Sequence, residues 1–134
     1  MSNAHTPGPW VLTIKPAEHD ADFTVAEIEQ PRSVKYRGAV TRMQSAEHIY
    51  GIGREELIAN ARLIAAAPDM LAALRLHQAW ADSKRAGPDY GEQTRDTHPN
   101  GEEIWRIWWR GNLDLCDRAN SATLAVIAKA EGRT

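Results

Sequence analysis

The apolar residues of this chain change their period once, and the change falls at Gly51-Ile52-Gly53. Before that point they alternate, as in half-buried strands. After it they recur at spacings of three and four, as on one face of a helix. Strands followed by helices, rather than interleaved with them, restrict the chain to an α+β architecture. Trp10, Leu12 and Ile14 share one face of a first expected strand. Residues 15–22 are polar, carry Pro16, and are expected to form a loop. Residues 23–29 form a second expected strand, stopped by Pro31. Val34, Tyr36 and Val40 share parity around Gly38 and predict a third strand, and residues 49–52 a short fourth. The connections are too short for parallel crossovers, so the pairing is expected to be antiparallel.

Beyond residue 53, Leu57, Ile58, Ala61, Ile64 and Ala65 lie on one helical face. Pro68 is expected at the first position of a new helix, with Asp69 near its positive end. Met70, Leu71, Leu74, His77 and Ala81 continue an apolar stripe to about Arg85. Residues 86–101 contain Gly87-Pro88, Gly91, His98-Pro99 and Asn100-Gly101 and read as a loop. A long helical pattern then occupies residues 102–130. Ile104, Trp108, Leu115, Ala119, Ala122 and Val126 form its seam, widened by Trp105, Trp109, Cys116, Thr123 and Ile127. Gly111-Asn112 is expected to kink or divide it. The expected fold is a single domain over residues 1–134. In it, an antiparallel sheet of three to four strands within residues 5–53 is packed by two to three helices. The helices of 54–85, the loop of 86–101 and a long C-terminal helix over 102–130 complete it.

The chain has 134 residues, 43% hydrophobic and 25% charged, which suits a folded domain and argues against global disorder. The formal net charge is −2. Proteins that live on phosphate contacts carry a positive excess, so nucleic acid is not an expected partner. A single cysteine, Cys116, leaves no internal disulfide and suits a reducing compartment. No run of 18 apolar residues and no signal-peptide pattern occurs, so no membrane association is expected.

Catalytic and metal-binding patterns are missing. His5, His19, His48, His77 and His98 are scattered without the spacing of a zinc helix, so no metal site is expected. Cys116 lies on an apolar seam without a cationic neighbour to activate it. Gly51-Ile52-Gly53 is too short for a phosphate loop, and Glu55 and Glu56 would repel an anion there. No catalytic residue and no cofactor is therefore expected. The exception to this plainness is Trp105-Arg106-Ile107-Trp108-Trp109-Arg110. Helical spacing pairs Trp105 with Trp109 and Arg106 with Arg110, setting two guanidinium groups beside indoles. Such a surface suits core packing, a protein interface or stacking of a ligand. Three Trp in five positions exceed what one helix face buries, so at least one is expected to face outward.

Thr6-Pro7-Gly8-Pro9-Trp10, taken with Ala59-Asn60-Ala61-Arg62-Leu63-Ile64-Ala65-Ala66-Ala67-Pro68-Asp69-Met70-Leu71, resembles a group of small, uncharacterised proteins of tailed bacteriophages and prophages. Members carry a TPGPW motif, a few strands and an ANARLIAAAPDLL-type helix. The resemblance covers roughly residues 5–76 and implies genomic context, with a cytoplasmic location in a bacterial host, rather than chemistry. The Trp-rich C-terminal part lies outside it. Three functional expectations follow. The first is a non-enzymatic accessory protein that binds a host or viral macromolecule, with self-association into a homo-oligomer. The second is an oligomeric anti-defence sponge that sequesters a nucleotide second messenger through Trp105, Arg106, Trp109 and Arg110. The third, with least support, is a small hydrolase.

Overall fold

A computed structural model describes residues 8–16, 24–29 and 53–133, with the backbone alone for 39–45. Contacts group the chain into two compact units, Met1–Met70 with Ala125–Thr134, and Leu71–Leu124.

The first unit holds the sheet. Strands β1 (Val11–Pro16), β2 (Thr24–Glu29) and β3 (Ala39–Ser45) pair antiparallel in that order. The register sets Leu12 opposite Ile28 and Ile14 opposite Ala26. Leu12 and Ile14 therefore share a face with Ala26, as their alternation predicts, and pack on the cluster of Ala26, Leu57 and Ala61. Residues 15 and 16 depart from expectation, because both belong to β1 rather than to a loop. Pro16 ends an edge strand opposite Thr24, where a missing N–H is tolerated. Lys15 is held by Glu27 at 3.0 Å. β3 takes in Val40 of the third expected strand and continues to Ser45. Thr41, Arg42 and Gln44 give it no apolar alternation. Its place is set by pairing with β2, whose Val25, Ala26 and Ile28 are fully buried. Val34, Tyr36 and the expected fourth strand at 49–52 lie outside the described residues.

Helix α1 (Arg54–Ala65) packs on the sheet through Leu57, Ala61 and Ala65, four residues apart and all buried. The alanines let its backbone approach the strands closely. Gly53 caps it without a side-chain bond, and Glu55 and Glu56 occupy the positive first turn. Helix α2 (Ala67–Ala86) follows at once, its first bond running from Met70 N–H to Ala66 O. Pro68 is thus its second residue, one place later than expected, still within the turn that lacks N–H acceptors. Gly8 lies against Pro68, so closely that a Cβ there would stand 2.5 Å from the proline ring. Asp69 in the first turn of α2 takes a 2.6 Å ion pair from Lys129. Lys129 lies in the last turn of helix α3 (Gly101–Ala130). Gly132, at φ +69°, closes that helix. Its N–H bonds Lys129 O and the N–H of Arg133 bonds Ala128 O, which satisfies two terminal carbonyls.

The second unit is an antiparallel pairing of α2 with α3. Helix α3 runs without interruption through Gly111-Asn112, where a kink or division was expected. Asn112 is buried, and its Nδ2 donates to Ser83 Oγ at 3.0 Å and to Trp108 O at 3.1 Å. This polar clip replaces an apolar seam residue, and Gly111 faces open space. Further along, His77 Nε2 donates to Thr123 Oγ1 at 2.8 Å, and that hydroxyl donates to Ala119 O. Among the described residues no single helix is long and apolar enough to cross a membrane. The architecture is mixed α+β, with antiparallel strands and, among the described residues, three helices, the C-terminal one long.

Candidate functional site

The segment joining α2 to α3 is folded upon itself. His98 N–H bonds Thr94 O, Gly101 N–H bonds His98 O, and Asn100 N–H bonds His98 Nδ1. Thr94 and Thr97 exchange side-chain bonds, and Asp89 accepts from Gly91 N–H. Gly101 is buried because the Arg95 carbonyl occupies the space a Cβ would need. The segment delivers Arg95 to the first turn of α3, where the guanidinium grips Glu102 through two bonds of 2.8 and 3.0 Å. That hydrogen bonding holds the Glu102 carboxyl below its ordinary range and raises Arg95 further.

Arg95 also lies 4.2 Å from the centre of the Trp105 ring. On the same helix Trp105 and Trp109 stack with centroids 5.6 Å apart and planes 7° from parallel. A guanidinium and two indoles thus make one column along the surface of α3. The i, i+4 pairing of these Trp was legible in the sequence, but its cation was assigned differently. Arg106 points instead to Glu103, at 2.9 Å, and Arg95 comes from the loop. No local spacing signals Arg95, since a turn-rich segment brings it back. Arg110 is exposed and makes no ion pair among the described residues.

Trp108 departs from its two neighbours. It is half-buried and its indole N–H donates to Ser83 O at 3.2 Å. Its ring lies 6.2 Å from that of Trp109, which stays 44% exposed. A cleft of about 110 Å³ is bounded by Trp80, Lys84, Trp108, Trp109, Asn112, Leu113 and Cys116. Lys84 Nζ stands 5.2 Å from the Trp80 ring centre. Trp80 and Lys84 were not singled out in the sequence, because their relevance depends on how α2 lies beside α3. A second, polar cleft of about 430 Å³ holds Arg95, His98, Glu102, Glu103 and Arg106. The five residues singled out from sequence are therefore distributed. Trp108 and Trp109 line one cleft, Arg106 lines the other, and Trp105 and Arg110 line neither. In the first unit, an open apolar cleft of about 440 Å³ lies among Leu63, Met70 and Ile127.

Among the described residues no group of three His, Cys, Asp or Glu side chains converges. Cys116 is a free, half-buried thiol, which accepts a long contact of 3.5 Å from Asn120 Nδ2. What this surface offers is aromatic and aliphatic area edged by charges. Trp109 and Leu113 are 44% and 48% exposed. A family model described as Salmonella phage P22 protein Y8K6 matches residues 1–134. No curated protein and no solved structure matches the chain.

Proposed function

The chain belongs to the family of Salmonella phage P22 protein Y8K6, and from that premise we propose that it is a non-enzymatic phage accessory protein. In this reading it acts by binding a protein through the Trp-bearing face of α3. The carrying observation is the partly exposed Trp105–Trp109 stack, braced by Arg95 and continued by Leu113. Trp and Arg held rigid at a surface lose little entropy on contact and are the residues that dominate protein interfaces. A nucleotide sponge draws less support. The Trp105 ring already has two stacking partners, and Arg106 and Trp109 face separate clefts, one of them carrying Glu102 and Glu103.

Affinity purification of the tagged full chain from infected cells tests the reading. A partner retained by wild type and lost with Trp109→Ala supports it. Equal recovery with Trp109→Ala and Leu113→Glu sinks it. A thermal-shift panel of linear and cyclic nucleotides should leave the midpoint unmoved, and a rise of several degrees with one of them reinstates the sponge.

A further inference from the structure

Resting on the reading of this face as a protein-binding surface, we propose that its occupant is a second copy of the chain. The copy lies antiparallel along α3, across a twofold axis that passes near Asp114.

Helix α3 carries two apolar seams. One, through Ile104, Trp108, Leu115, Ala119 and Ala122, is covered by its own chain. The other passes through Trp105, Trp109, Leu113, Cys116 and Leu124, with Asn120 between the last two. Its steps of four, four, three, four and four residues keep it within one face of a straight helix. Within it Leu113 is 48% exposed, Trp109 44% and Leu124 69%. An apolar stripe this regular has no use in solvent.

The charges beside the stripe identify what covers it. Between residues 102 and 118 of α3, Glu102 is paired with Arg95, Glu103 with Arg106, and Asp114 with Arg118. The two remaining charges there, Arg110 and Asp117, make no ion pair among the described residues. They are of opposite sign, seven residues apart, and so lie two turns apart on one edge of the stripe. Antiparallel packing of a copy sets each Arg110 against the partner's Asp117, twice by symmetry. The same operation sets Leu113 against the partner's Cys116, Trp109 against the partner's Asn120, and Trp105 against the partner's Leu124. A parallel copy would instead align like charges. The interface is self-complementary and therefore closes at two chains.

Sedimentation equilibrium of the full chain, over a range of concentrations, tests this. Wild type should form a dimer. Arg110→Asp and Asp117→Arg should each weaken it by about tenfold, since each breaks two pairs and sets like charges together. The double variant should recover the wild-type constant. Both positions are exposed, so these variants leave the packed seam intact, and circular dichroism should show unchanged helix content. In oxidising buffer, Leu113→Cys should yield a disulfide-linked dimer through Cys116, whereas Ile107→Cys should not. A wild-type monomer at all concentrations overturns the proposal. So does a dimer indifferent to both reversals, or a double variant no tighter than the singles. Capture of a different protein by a chain that stays monomeric would uphold the protein-binding reading while removing the second copy as occupant.

Discussion

Three glycines separate what a single methyl group does at different places in this molecule. Gly8 touches Pro68, so the two sequence motifs that stand furthest apart along the resemblance meet at one van der Waals contact. Gly8→Ala forces them apart and should lower stability by about 1–3 kcal/mol, the usual range for overpacking. Gly101→Ala drives a Cβ into the Arg95 backbone and should cost at least as much, about 2–3 kcal/mol, while releasing Arg95 from Trp105. Gly111→Ala meets open space in mid-helix and should stabilise by about 0.5–1 kcal/mol. Thermal unfolding of the three variants gives the ranking directly, and a stabilised Gly101→Ala would show that the close approach is absent in solution. None of these contrasts is visible in sequence. Gly111 read as a break because glycine weakens helices in general. Only the packed neighbours reveal that Gly101 is the glycine that cannot be replaced.

At the scale of elements, the loop and the helix pair behave as coupled parts. The Arg95–Glu102 grip depends on an ionised Glu102. Its carboxyl is held below the ordinary range, so the contribution is fully present above the unfolded carboxylate range and fades as pH falls through the lowered folded value. Arg95 stays charged throughout. Acid titration followed by tryptophan emission should report Arg95 leaving Trp105, and Glu102→Gln should flatten that response by removing the titrating group. Asn112 presents a different conflict. Its Oδ1 is buried without a partner, while its Nδ2 joins α3 to Ser83 on α2. Asn112→Leu should raise stability by about 1 kcal/mol and loosen the register that the polar clip defines. Calorimetry and the sharpness of the indole N–H resonances measure the two effects. The elements themselves were largely legible. Apolar spacing located α1, α2, α3 and the first two strands to within a few residues. Of the third expected strand only Val40 falls within the described residues, and it lies in β3, which runs on to Ser45 through a sequence with little apolar alternation. The stacked Trp pair was legible for the same reason as the helices, being four residues apart. Arg95, Trp80 and Lys84 were not, because each reaches the site through tertiary placement.

For the whole molecule, charge and surface agree. The net charge of −2 comes with acidic partners for several of the described arginines, among them Arg106 with Glu103 and Arg118 with Asp114. Retention on a DNA column should therefore be weak and show little dependence on salt. A steep salt dependence would instead reveal a cationic face.

The division of the chain also has a consequence for where it can be cut. Leu71–Leu124 is one continuous stretch, whereas the sheet-bearing unit needs Ala125–Thr134 as well as the first seventy residues. Those last residues supply the buried Val126, the Lys129 that holds Asp69, and Gly132 beneath the Arg62 guanidinium. The strands and the end of the C-terminal helix thus belong to one packed unit. Removing residues 125–134 should therefore weaken the unit that holds the strands although it takes none of them away.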